Sequence, residues 1–351
     1  MDEITTIGLD IAKNVFQLHG IDAHGRIVLR KSLRRGQMQQ FFEKLPPCLI
    51  GMEACATAHH WARTLMTSGH DVRLIPPAYI KPYLRRQKND AADAAAICEA
   101  ATRPSMRFVP VKNEEQQATL MLHSTRDLLI SQRTALINAL RGHFAELGIV
   151  VAQGARNARQ LIDIVNDEDN SVLPASARHA LQPIAAMVVG IETQIGKLDK
   201  DILATHRNDD VSKRLAAIPG IGPIIASCLS ASIPDASVFK CGREFAVWMG
   251  LVPRQFSTGG KPRLGSISKM GNRRLRTLLV VGAHAALYRM KSGKTQTLLA
   301  DWARTLLSKK PFKLVAVALA NKMARIAWAV MAKDIDYEPG SNGHKFVQII
   351  A

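Results

Sequence analysis

The chain is short of the residues that mark a secreted or membrane protein. Its 351 residues include five cysteines, Cys48, Cys55, Cys98, Cys228 and Cys241. Odd in number and without close pairs, they make neither a disulfide framework nor a zinc site, and are expected as buried, reduced thiols of a cytosolic protein. No secretory leader is read at the start, where Met1 is followed at once by Asp2 and Glu3. An unbroken apolar run of membrane length is missing too. The most apolar stretch, Phe312 to Met331, is interrupted by Asn321, Lys322 and Arg325 and reads as a buried helix. There is no internal repeat. Acidic residues are the other shortage: 29 Asp and Glu stand against 47 Lys and Arg, a net charge of +18. That imbalance points to a polyanionic partner, because each neutralised phosphate releases condensed counter-ions.

What is present is ample for a folded protein. Hydrophobic residues make up 47% of the chain, and its length suits two or three domains. The first hundred residues alternate strand and helix signals. β-Rich runs at Ile4–Ile21 and Arg26–Ser32 flank the turn Asp22–Gly25 and read as a hairpin. Helices are expected near 37–45, 58–68 and 89–102, with strands at 48–52 and 72–75. This order defines an α/β domain with a mixed sheet. From Glu114 to Leu147 apolar residues recur at helical spacing (Leu122, Leu129, Leu136, Leu140, Phe144), and they do so again from Ala175 to His206. Two long helices joined by a polar section, with a loop at Asn166–Asn170, read as an antiparallel hairpin or coiled coil. After Ile218 come a Gly- and Arg-rich stretch, two or three helices up to Lys333, and a loose tail from Asp334.

Four carboxylates stand out. Asp10 interrupts a strand otherwise built for a core, and Glu53 ends the apolar run Leu49–Met52 where a strand feeds a loop. A carboxylate among apolar neighbours is costly unless paired or metal-bound, and strand ends of α/β folds are where ligand chemistry collects. Asp90 and Asp93 are spaced i, i+3 and share one helix face. Lys88, just before them, places positive charge at a helix start, where the dipole disfavours it. Four such groups can hold two divalent ions about 4 Å apart against a phosphodiester. Their hard oxygens favour Mg²⁺, or Mn²⁺, over zinc. Ordinary surface acids and helix caps would show the same spacing.

The second concentration of signals is basic. Ile218-Pro-Gly-Ile-Gly-Pro223 resembles a helix-hairpin-helix turn, whose Gly220 and Gly222 would offer backbone N–H groups to DNA phosphates. Between Arg254 and Arg276 stand Arg254, Lys261, Arg263, Lys269, Arg273, Arg274 and Arg276 without one acid. Glycines among them let a backbone approach a ligand closely. Within this run Ser257 is a candidate nucleophile, since cations lower the effective pKa of a hydroxyl and hold a phosphate. A hydroxyl that only contacts phosphate would look identical.

Taken in order, Ile7-Gly-Leu-Asp-Ile-Ala-Lys13, Gly51-Met-Glu-Ala54, Lys88-Asn-Asp-Ala-Ala-Asp-Ala94, Ile218–Pro223, Gly250–Lys261 and Ile267–Arg276 resemble a DEDD transposase. The family is that of insertion sequences guided by a structured non-coding (bridge or seeker) RNA, and the resemblance spans residues 4 to 333. It implies an RNase H-like, RuvC-like domain at 1–110, a helical coiled-coil region at 111–210, a mainly α transposase domain at 211–333 and a tail at 334–351. It also implies that Asp10, Glu53, Asp90 and Asp93 are the DEDD set, binding Mg²⁺ or Mn²⁺. The family's catalytic serine precedes a glycine. Here Thr258 touches Gly259, and Ser257 is the only serine in that loop. The implied chemistry is attack by the serine on DNA, a phosphoserine link, and strand exchange, with carboxylates that activate the serine coming from the same or a neighbouring subunit. The implied partners are donor and target DNA, guide RNA and further copies in a dimer or tetramer. No membrane is implied, and the location is cytoplasmic at the nucleoid. A purely hydrolytic junction nuclease, or a non-enzymatic nucleic-acid scaffold, would share parts of this pattern.

Overall fold

Residues 4–21, read as one extended run, are two strands. In the computed structural model, which describes residues 3–84, 90–261, 263–293 and 296–338, β1 (Thr6–Ile11) and β2 (Val15–Ile21) pair antiparallel around an exposed turn at Ala12–Asn14. That turn holds neither Gly nor Pro, which is why the sequence pattern runs straight through it. The Asp22–Gly25 turn is as expected. Asp22 Oδ1 accepts from the His24 and Arg26 amides at 2.8 Å, and β3 (Ile27–Arg34) follows.

α1 (Met38–Glu43), β4 (Leu49–Glu53), α2 (Ala58–Thr67), β5 (Asp71–Ile75), the short α3 (Pro77–Ile80) and α4 (Asp90–Ala101) complete this part. The sheet order is β3-β2-β1-β4-β5, with β1, β4 and β5 parallel. Strand alternation gives the sheet two different faces. Ile7, Leu9, Ile50 and Met52 pack with Met38, Phe42, Trp61 and Leu65 in one core. On the other face Gly8 and Gly51 let α4 lie directly on the strands. A Cβ on Gly8 would stand 2.1 Å from the Ala94 carbonyl oxygen, and one on Gly51 2.6 Å from Ala101 Cβ. The mixed five-stranded sheet is consistent with the expected RNase H-like domain.

The chain divides into two compact units. One is built on residues up to Gln116 with Ile233–Val238, the other on Gln117–Ser232 and from Phe239 onward. Most of α5 (Glu114–Glu146) belongs to the second, as does α7 (Ala175–Arg207), and both match their expected limits closely. They run antiparallel, since Arg126 pairs with Asp199 at 2.5 Å and Arg133 reaches Glu192 at 3.9 Å. The polar section between them is not all loop. α6 (Ala155–Asn166) packs Leu161, Ile162 and Val165 against Leu140 and Phe144 of α5 and Leu181 and Val188 of α7. Buried Arg178 closes the end of α6, donating to the Ile164 and Val165 carbonyls at 2.7 and 3.1 Å and also to those of Asp167 and Asn170.

α8 (Asp210–Ala216), α9 (Pro223–Ser232) and α10 (Gly242–Trp248) lead to a small antiparallel hairpin, β6 (Pro253–Gln255) and β7 (Leu264–Ile267). Then come α11 (Arg273–Lys291), α12 (Leu298–Leu307) and α13 (Phe312–Lys333). α13 is long and apolar enough to cross a membrane, yet Leu319, Ala320, Met323, Ala327 and Val330 are fully buried in the protein. It is a core helix, as its interrupting polar residues imply. All five cysteines are free, but not all are buried: Cys241 is exposed and Cys55 half-buried. The tail expected from Asp334 lies outside the described residues from 339 on.

Candidate active site

β1 and β4 run parallel with Leu9 beside Met52, so the next residues, Asp10 one position before the end of β1 and Glu53 at the end of β4, follow on adjacent strands. Both alternate with a glycine two positions earlier, Gly8 or Gly51, and therefore face the side on which α4 lies. Asp93 sits in the first turn of α4, next to the Ala94 carbonyl that meets Gly8. Asp10, Glu53 and Asp93 are all half-buried. α4 begins at Asp90, whose side chain lies outside the described residues, as does Lys88. The glycines thus bring a helix start to the ends of two parallel strands, which is the position where α/β folds collect ligand chemistry.

Cys55, just past β4, feels this charge. Burial first, and then Glu53 and Asp10, push its thiol above the ordinary range. The half-buried carboxylates offer hard oxygen donors, which fit Mg²⁺ or Mn²⁺ rather than a soft metal. Among the described residues, no three His, Cys, Asp or Glu side chains gather as a ready-made metal group. Sequence reasoning passed over Cys55; its position two residues beyond Glu53 was the available signal.

The Gly- and Arg-rich stretch, expected as a loop, is the β6–β7 hairpin. Its end is a tight turn: the Lys261 amide donates to the Thr258 carbonyl at 3.2 Å across Gly259 and Gly260, with φ of +57° and +76°. Two positive φ values in succession define a type I′ turn, which Gly-Gly adopts without strain. Ser257 lies one residue before this turn, exposed, and its Oγ accepts from Gln255 Nε2 at 2.9 Å. Exposed Phe256, Lys261, Arg263 and Leu264 surround it along the hairpin.

The base of the hairpin is pinned. A Cβ on Gly250 would stand 2.2 Å from the Met270 carbonyl oxygen, and one on Gly271 1.8 Å from that of Trp248. Arg276 donates to the Met249 and Met270 carbonyls at 3.0 and 2.8 Å. Arg274 donates to Asp127 at 2.6 Å and Ser124 at 2.9 Å, and Arg254 to the Ser268 carbonyl at 3.3 Å. Of the seven expected phosphate contacts, these three arginines therefore have internal partners. Lys261, Arg263, Lys269 and Arg273 are exposed and form no ion pair among the described residues.

Ile218–Pro223 forms a turn between α8 and α9, with the Ile221 amide donating to the Ile218 carbonyl at 2.9 Å. Its glycines differ. Gly220 (φ +92°) packs against α11 and α13, where an added Cβ would meet the Gly282 carbonyl oxygen and Met323 Cε at 2.9 Å. Gly222 is exposed, with open space around it, at the start of α9. Only Gly222 is placed to offer backbone to a ligand. The sequence also gave no hint of His123, buried against Ser227 (Nε2 to Oγ 3.2 Å), whose pKa burial lowers to about 4.

Comparison with known proteins defines the class. A model described as a transposase of the DEDD, IS110 type matches residues 7–149, and one described as "Transposase IS116/IS110/IS902 family" matches residues 212–300. The first match spans all four carboxylates and the second spans Ser257. A probable family 20 transposase of Pseudomonas aeruginosa is 48% identical over 338 residues, covering 96% of this chain and 99% of its own. The transposase for insertion sequence element IS1328 of Yersinia enterocolitica is 39% identical, covering 94% and 97%. That for IS1111A of Coxiella burnetii is 38% identical, covering 97% and 93%. The chain belongs to the IS110/IS116 family of transposases.

Proposed function

We propose that this transposase cuts and rejoins DNA through a covalent phosphoserine link on Ser257, with Asp10, Glu53, Asp90 and Asp93 holding Mg²⁺ or Mn²⁺. The observation that carries the reading is the register of β1 and β4, which sets Asp10 beside Glu53 on the α4 face. When bound there, a hard divalent ion supplies positive charge to the oxygens of a phosphodiester. Ser257 Oγ attacks phosphorus while its proton passes to a carboxylate of the site, the deoxyribose oxygen leaves and takes up a proton in exchange, and the strand stays on the protein until a second deoxyribose hydroxyl reverses the step. Lys261 and Arg263, on the same hairpin, neutralise the attacked phosphate. Carboxylates of one subunit serving the serine of another would account for a dimer or tetramer.

Site choice is assigned to a structured guide RNA, and the protein's part is to hold nucleic acid by its backbone. The net charge of +18 and the exposed Gly222 at the α9 start support this. The protein then acts in the cytoplasm, on nucleoid DNA.

The test is to incubate protein, guide RNA, donor and target DNA with Mg²⁺ and to look for a protein–DNA adduct on denaturing gels. The expected adduct disappears in Ser257→Ala and in Asp10→Ala, and persists in Thr258→Ala. Cleavage without an adduct in Ser257→Ala would replace strand transfer by hydrolysis. Full recombination by Asp93→Ala would remove the carboxylates from the mechanism.

A further inference from the structure

A cavity of about 560 Å³ opens at the foot of the serine hairpin. Pro253 and Ile267 of the hairpin form one wall, Trp302 of α12 another, and Val317, Lys322 and Arg325 of α13 the floor. Most of this lining is apolar, yet two cations share it. Lys322 Nζ lies 4.6 Å from the centre of the Trp302 ring, and Arg325 Nε is buried without a hydrogen-bond partner. Neither cation forms an ion pair among the described residues. Two like charges in a half-buried slot repel each other, and an anion between them relieves the repulsion. Asn321, also in the lining, uses one amide N–H on the Leu251 carbonyl at 3.1 Å and keeps its other donor and its acceptor.

An indole wall, apolar sides, an amide with spare hydrogen-bonding capacity and two cations without an ion pair among the described residues suit a planar heteroaromatic ring attached to a phosphate, in a volume typical of small-ligand sites. We propose that this cavity receives one unstacked nucleotide of the DNA strand that Ser257 attacks, its base against Trp302 and its phosphate on Lys322 and Arg325. The inference rests on the strand-transfer reading above and deepens it. A slot continuous with the foot of the hairpin would hold the strand while the hairpin tip reaches its phosphate. It reads no sequence, because every base has a face to stack.

Fluorescence anisotropy with three labelled strands tests it: oligo(dT), a fully abasic deoxyribose-phosphate strand of equal length, and oligo(rU), each of roughly twelve nucleotides. The wild type should bind oligo(dT) about tenfold more tightly than the abasic strand. Trp302→Leu should abolish most of that ratio, and Trp302→Phe should keep it. Lys322→Gln and Arg325→Gln should weaken both deoxy strands alike, each lowering the salt dependence by about one counter-ion. An unchanged ratio in Trp302→Leu overturns the proposal, as does a Trp302-dependent preference for oligo(rU), which would give the slot to RNA. Ser257→Ala separates the two readings. It should lose the adduct and keep the base-to-abasic ratio. A Trp302-dependent ratio in a protein that never forms an adduct would leave the slot standing and remove strand transfer.

Discussion

The two halves of the proposed chemistry are held in opposite ways. Asp10 and Glu53 lie next to and at the ends of strands whose two faces are filled, one by the core of α1 and α2 and the other by α4 at contact distance. Ser257 stands on a hairpin exposed along its length and fixed only at its foot, by Gly250, Gly271 and the Arg276 guanidinium. Groups that hold a charged centre need to be preorganised, because moving them during the reaction costs the stabilisation they provide. A nucleophile that is to stay joined to a DNA end needs instead a tether that can travel with it. The difference between the two supports suits the proposed division of labour between metal ligand and nucleophile.

Substitutions can break this contrast at either end. The largest effect is expected from Gly8→Val, which forces α4 off the sheet because the Ala94 carbonyl oxygen already stands 2.1 Å from the Cβ position. Urea unfolding should show a loss of about 3 kcal/mol, with adduct formation abolished. Acid should have a comparable effect in the helical unit. His123, with a pKa of about 4, binds its proton in the unfolded chain near pH 6.5 but not in the fold, so stability present above pH 6.5 is lost as pH falls towards 4. The full loss is on the order of 3 kcal/mol. His123→Asn should flatten that slope in urea titrations between pH 7 and 4.5, and an unchanged slope would place the acid sensitivity elsewhere. Arg276→Met should be milder, about 2 kcal/mol for two charged hydrogen bonds to carbonyls. Its adduct rate should fall further than its stability, since the hairpin foot loses its clamp. Equal loss in rate and stability would mean that Arg276 supports the fold alone.

Much of the fold was legible because helices announce themselves locally. The apolar period placed the start of α5 at Glu114 and that of α7 at Ala175, where the structure begins them. α6 carries the same mark more faintly: Ala158, Leu161, Ile162 and Val165 stand at helical spacing, but the polar residues between them give the segment the composition of a loop. The β6–β7 hairpin carried its own mark in Gly259-Gly260, but its exposed strands lack the alternation that burial imposes. The glycines of the α8–α9 turn looked alike in sequence. Only packing separates Gly220, pressed on α11, from Gly222 in the open.

By itself, then, the sequence determined what depends on near neighbours: the two long helices α5 and α7 and their lengths, the excess of positive charge, the Gly-Gly pair beside Ser257, and the ordered motifs of the transposase family. The parallel register of β1 and β4 is set by residues more than forty positions apart, and no local period encodes it. Tertiary structure decided that Asp10 and Glu53 come onto one face of adjacent strands, that Gly8 and Gly51 admit α4 above them, and that Lys322 and Arg325 share a slot with Trp302. Such encounters depend on how whole elements fill space against one another.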